Sequence, residues 1–266
     1  MFNLSFGAAA GALALAIVAT PLAASDDDHH DYNEEDQAGD FAYEAPAKPT
    51  EAWMLAAGGR IYDKWWAALD RPEPVYFTHP AYPATATKSG ADTWRCVTCH
   101  GWDYKGATGI FRAGEDYTGI KGIDGAIGRD EGEIIALLRA PLHGYTQEMI
   151  GDEEIGWLAA FVSRGQIDMS KYVDLSTREI VAGDIDNGRA VFQTNCAACH
   201  GFDGRQLNWG GPGEDAFVGT EASDLPDEVM NKILNAHPGV WMINLRAFGP
   251  GVAADVLRYA ATLPQE

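Results

Sequence analysis

The sequence predicts an all-α protein of two tandem helical bundles, and a repeat with its surroundings carries the prediction. The pentapeptide Cys96-Val97-Thr98-Cys99-His100 recurs as Cys196-Ala197-Ala198-Cys199-His200, and the two copies use all four cysteines of the 266 residues. Each copy is preceded by a short amphipathic segment with a glycine and an aromatic four residues apart. Each is followed, after a long loop, by a segment whose apolar residues recur at helical spacing.

Cys-x-x-Cys-His is the attachment sequence of c-type haem. Two thiols one helical turn apart can add to the two vinyl groups on one porphyrin edge, and the adjacent histidine then reaches the iron. Zinc sites and redox disulfides also use Cys-x-x-Cys pairs. An all-cysteine zinc site normally closes a far shorter loop than the one from Cys99 to Cys196, and neither alternative explains a histidine after both pairs in a chain with only seven. Two covalently attached haem c groups are expected, on Cys96/Cys99 and Cys196/Cys199, with His100 and His200 as proximal iron ligands.

Haem of this kind is attached outside the cytoplasm, and the N-terminus supplies a matching export signal. Residues 1–24 carry no charged side chain. The apolar run 8–20 has the length of a signal core, and Leu22-Ala23-Ala24 reads as a cleavage site before Ser25, although the basic leading region is missing. An uncleaved segment of this length would instead anchor the protein in a membrane. Residues 25–50 form an acidic leader expected to be disordered, with nine acidic residues against one basic up to position 50. His29, His30 and Asp31 read there as solvated residues rather than a metal site.

The net charge of −20 is not confined to the leader. Such a surface repels nucleic acid and anionic lipid and steers toward basic patches on partner proteins. A periplasmic location is expected, with redox donor and acceptor proteins as partners.

Domain one is expected over 51–165. Gly58-Gly59-Arg60-Ile61-Tyr62 opens it as a helix, extended by Trp65 and Trp66. The excursion 67–95, with Pro72, Pro74, Pro80 and Pro83, reads as an inserted surface loop that ends in Trp94-Arg95 against the first pentapeptide. The closing helix is 152–162, acidic at its start and followed by Arg164-Gly165. Residues 166–181 are expected to be a linker. Domain two, 182–266, starts with Gly188-Arg189-Ala190-Val191-Phe192 running straight into Cys196, and closes with Ala253, Val256, Leu257, Ala260 and Ala261 on one helical face beside Tyr259.

On these residues each half resembles a class I cytochrome c domain, over about 51–165 and 182–266. That family crosses an N-terminal helix bearing a glycine and an aromatic with a C-terminal helix bearing another aromatic. Gly58/Tyr62 with Trp157/Phe161, and Gly188/Phe192 with Tyr259, fit that description. The resemblance implies an axial methionine before the last helix, which is Met149 in domain one and Met242 in domain two. It also implies a backbone carbonyl that accepts a hydrogen bond from each proximal histidine. Pro212 stands where the family's usual proline lies, and domain one offers only Tyr117-Thr118-Gly119-Ile120-Lys121-Gly122 for that role.

His143 and His237 occupy parallel positions shortly before the two methionines and are competing ligands that would give bis-histidine iron. Met54, ahead of the first helix, and Met169, in the linker, lie outside the bundles, and Met230 reads as core.

The function these residues favour is single-electron transfer between redox partners through two His/Met-ligated haems, with no catalytic acid, base or nucleophile. The rivals are a dihaem oxidoreductase and an electron-transfer subunit docked on a dehydrogenase through the 67–95 excursion. A thiosulfate dehydrogenase of the known kind needs a cysteine ligand, and none is left over here. A haem peroxidase needs an iron with an open face.

Overall fold

The computed structural model describes residues 45–75 and 77–266. The expected signal segment and nearly all of the acidic leader lie outside those residues. Helices dominate, and no strand occurs among the described residues; the isolated bridges Gly106–Lys121 and Val173–Ile180 are the only β pairings there. No helix among them is long and apolar enough to cross a membrane.

Helix α1, Glu51–Ala68, begins a full two turns before Gly58 because Thr50 caps it, its Oγ1 accepting from the Trp53 amide at 3.2 Å. Met54 therefore lies inside the helix. The backbone breaks at Lys64 (φ −148°, ψ 86°), and this turn lets both Trp65 and Trp66 point inward and become buried. Helix α2, Cys96–His100, is the first pentapeptide itself. Helix α3, Glu131–Arg139, is capped by Asp130, and α4, Asp152–Ala160, continues through one wide π turn, Phe161–Gly165.

In the second half α5, Ile185–Val191, passes through a similar wide turn, Phe192–Cys196, directly into α6, Ala197–His200. Helices α7, Val218–Asp224, α8, Pro226–Asn235, and α9, Gly249–Ala260, complete the chain.

Two helix crossings organise the halves, and a glycine lies at the contact point of each. A Cβ on Gly58 would collide with the Trp157 carbonyl and the Phe161 side chain, so α1 meets α4 backbone to backbone. A Cβ on Gly188 would strike the Asp255 carbonyl and Tyr259, which brings α5 equally close to α9. Around the first crossing a core runs from Ala57 to Val162, with Ile61, Tyr62, Ile150, Leu158 and Phe161 nearly inaccessible; around the second lies a core from Met169 to Leu263.

The segment 166–181 packs against both halves. Met169 and Val173 are fully buried in the second core, Arg258 donates to the Ile180 carbonyl at 2.6 Å, and Gln166 donates back to the Ile123 and Val162 carbonyls. The described residues all fall in one compact unit.

The halves meet where α8 lies against α1, and the seam is polar. The Asp63 carboxylate, with a side chain only 4 % exposed, accepts from Arg95 Nη2 at 2.6 Å and from Lys232 of α8. Burial pushes that carboxyl up, but Lys232 and Arg95 outweigh it and hold it down at about 2. Tyr104 donates to Asn231 Oδ1 at 2.6 Å, Asn231 donates to the Trp102 carbonyl at 2.9 Å, and Arg60 donates to the Asn235 carbonyl at 2.9 Å. Buried polar groups satisfied across a boundary fix one register between its sides.

Candidate haem sites

The first site is built by α2 and the loop that leaves it. Gly101 ends the helix at φ +78°, in the left-handed region, and Tyr62 of α1 donates to its carbonyl at 2.7 Å. The loop then returns: the Gly106 amide donates to the His100 carbonyl at 2.8 Å, and Gly106 pairs with Lys121 in a bridge. That pairing brings the Lys121 carbonyl to 2.8 Å from His100 Nδ1. A carbonyl can only accept, so Nδ1 carries the proton and Nε2 keeps its lone pair for a metal.

Burial pushes the Cys96 and Cys99 thiols up to about 11 and about 12, and Cys196 to about 11. All four cysteines are free thiols. A thiolate metal site or reactive redox pair needs the opposite shift, and no cluster of three or more His, Cys, Asp or Glu with metal-holding geometry occurs among the described residues.

Opposite His100 lies the loop 140–150. Arg139, at the end of α3, clamps it by donating to the carbonyls of Tyr145 (3.1 Å) and Ile150 (2.8 Å) and by pairing with Asp152. His143 on this loop has its ring centroid 6.4 Å from that of His100, with an interplanar angle of 35°. Its Nδ1 faces the Leu137 carbonyl at 3.1 Å. Met149, half-buried, packs against the edge of the first core, and its amide donates to Thr146 Oγ1 at 3.3 Å.

The 67–95 excursion folds back over this loop. His79 is buried and donates through Nε2 to the His143 carbonyl at 2.9 Å, and Tyr145 donates to the Trp94 carbonyl at 2.8 Å. Within the excursion Thr93 Oγ1 accepts from the His79 amide at 2.8 Å, and Trp94 Nε1 donates to the Phe77 carbonyl at 2.7 Å.

The second site repeats the proximal plan in part. Gly201 ends α6 at φ +80°, and the Gln206 amide donates to the His200 carbonyl at 3.0 Å. His200 Nδ1, however, is buried without a hydrogen-bond partner, and its ring lies beside Trp209 at 5.9 Å and Phe192 at 6.5 Å. Pro212 lies on an exposed turn.

Met242 is half-buried between the exposed Trp241 and Ile243. His237 belongs to the seam between the halves: burial pushes it down to about 4, with Lys232 lowering it further against the pull of Asp63. Asp63 is thus a neighbour that His237 and Lys232 share.

The residues that position the first site include several that no sequence motif marks. Lys121 acts through its backbone, which no residue type announces. Asp130, three residues before Glu133 and ahead of Ile134 and Leu138, was the available signal for α3.

Residues 183–255 match the family described as cytochrome c oxidase, cbb3-type, subunit III. The matched span contains the second pentapeptide and Met242 and stops within α9. No curated protein matches the chain. The match supports a c-type cytochrome with an electron-transfer role in general terms.

Proposed function

We propose that this chain is a periplasmic dihaem c-type cytochrome that passes single electrons between redox partner proteins. The observation that carries the proposal is the repeated pentapeptide on two short helices, each ended by a left-handed glycine. At the first, His100 is held by the Lys121 carbonyl with Nε2 free for iron. The family match over the second half agrees with it.

In this reading Cys96/Cys99 and Cys196/Cys199 tether the porphyrins, and His100 and His200 are the proximal ligands. Met242 is the sixth ligand of the second haem, while the loop 140–150 supplies that of the first. The haem supplies one-electron chemistry with an unchanged ligand set. The protein's part would be to fix the imidazoles, while the buried rings of Tyr62, Tyr104 and Phe161 in one half and of Phe192 and Tyr259 in the other pack against each other. The acidic exterior draws partners with basic patches.

The test is haem stoichiometry and electron uptake in the exported, purified protein. An alkaline pyridine spectrum should give two c-type haems per chain, falling to one in Cys96→Ala/Cys99→Ala and in Cys196→Ala/Cys199→Ala. Reductive titration should take up two electrons per chain. Zinc in place of haem would refute the proposal, as would rapid turnover of peroxide or thiosulfate with the haems as the reacting centre.

A further inference from the structure

We infer that His143, rather than Met149, is the sixth ligand of the haem carried by Cys96 and Cys99, so that the first site is bis-histidine and the second histidine–methionine. The inference rests on the dihaem reading above and on the arrangement of the two rings. Two imidazoles bound through Nε2 on opposite faces of one metal ion have roughly 2 Å metal–nitrogen bonds. Adding roughly 1.1 Å from each nitrogen to its ring centre places the centroids about 6 Å apart. His100 and His143 stand 6.4 Å apart.

Protonation states agree. Both Nδ1 atoms face backbone carbonyls, Lys121 at 2.8 Å and Leu137 at 3.1 Å, so both rings carry their proton there and leave Nε2 as a lone-pair donor. Orientation of a ligand histidine by a carbonyl at its other nitrogen is how protein metal sites fix an imidazole. A surface histidine would have no need of it on both partners.

His143 is also held in place by its backbone. His79 donates to its carbonyl, its amide donates to the Ala140 carbonyl at 3.0 Å, and Arg139 and Tyr145 pin the loop on its far side. The buried His79, reached only through the inserted excursion, gains a purpose as the positioning residue for His143. Met149, by contrast, spends its side chain on the edge of the first core. The second half has no equivalent pair: the ring neighbours of His200 are Phe192 and Trp209, and His237 belongs to the seam.

Thioether ligation raises a haem's potential relative to bis-imidazole. The assignment therefore makes haem one the low-potential site and haem two the high-potential site, and electrons run from the first half to the second.

The experiment uses the full haem-loaded protein. Electron paramagnetic resonance of the ferric protein should show one bis-imidazole low-spin centre and one histidine–methionine centre. The weak far-red band of methionine-to-iron ligation should vanish completely in Met242→Leu and persist undiminished in Met149→Leu. His143→Ala should convert one centre to high spin, open one haem per chain to carbon monoxide, and recover the low-spin signal with added imidazole. His79→Ala should broaden or shift only the bis-imidazole signal.

A far-red band that falls by half in Met149→Leu, with His143→Ala leaving both centres low-spin, would overturn the inference while leaving two haems per chain intact. A wild-type protein with haem only on the second motif would instead overturn the dihaem reading beneath it.

Discussion

Replacing Asp63 by Asn should loosen the seam between the two halves by about 3 kcal/mol at neutral pH. The carboxylate is almost wholly buried and is the shared partner of Arg95 (side chain 20 % exposed) and Lys232 (14 % exposed). Its descent from 3.8 to about 2 means that the folded protein favours the charged over the neutral carboxyl by about 2–3 kcal/mol relative to the unfolded chain.

Asparagine keeps the shape and removes the charge. Arg95 would retain the Asp63 backbone carbonyl at 2.9 Å, but Lys232 would be left with Glu228 at 3.7 Å and the Trp102 ring at 5.2 Å. Removing one partner of a buried pair typically costs about 3–5 kcal/mol, because the other charge stays buried.

The assay is thermal or guanidinium unfolding of the protein as purified, with cofactor content matched between variant and wild type. A loss of about 3 kcal/mol should lower the midpoint by roughly 5–10 °C. Because the folded pKa is depressed, this stabilisation is complete above about pH 4 and is lost as the pH falls through about 2. The gap between Asp63→Asn and wild type should therefore close in acid. Adding Lys232→Met should cost at least about 1 kcal/mol less than the sum of the two single changes. An Asp63→Asn protein within about 0.5 kcal/mol of wild type at pH 7, or a gap that does not narrow in acid, would refute the reasoning.

Gly58→Ala and Gly188→Ala should each cost at least about 2 kcal/mol, because a backbone carbonyl across the helix crossing cannot move aside as a side chain can; unfolding midpoints near wild type would count against the crossings. Asp227 in α8 has both carboxylate oxygens buried without a hydrogen bond, and Arg178 stands 3.8 Å away. Burial pushes its carboxyl up to about 6 against the opposing pull of Arg178. The raised folded pKa means that stability falls as the pH rises from about 4 through 6, so Asp227→Asn should gain about 1 kcal/mol more over wild type at pH 7 than at pH 5; urea midpoints at the two pH values decide it. Arg139→Met should free the loop 140–150 and make amide exchange at Tyr145 and Ile150 faster, while exchange in α9 stays unchanged.

How much of this was legible follows from where the signal resides. The pentapeptides, the two glycine–aromatic helices and the closing helices lie in contiguous sequence, and Gly58 meets Phe161 as Gly188 meets Tyr259. The seam has no such trace. Asp63, Arg95, Asn231 and Lys232 are polar residues scattered along the chain, and nothing in their spacing says that they are buried together.

The prolines of the 67–95 excursion mark a loop and leave its destination open, so nothing in the sequence singles out His79. The 166–181 segment reads as loose because its polar residues outnumber Met169 and Val173, yet those two buried side chains and the Val173–Ile180 bridge decide its structure. His143 and Met149 occupy one short loop, and sequence position alone cannot rank them.

The packed 166–181 segment and the polar face between α1 and α8 set a limit on dissection. Although the chain carries a duplicated plan, its halves are not interchangeable cartridges: cutting at residue 165 would take Lys232 from Asp63 and the Asn235 carbonyl from Arg60, and expose a polar face where a helix had been. The spacing of the two pentapeptides is therefore written into folding itself. A chain with a longer tether or a reordered pair would have to rebuild this face before its halves could fold together.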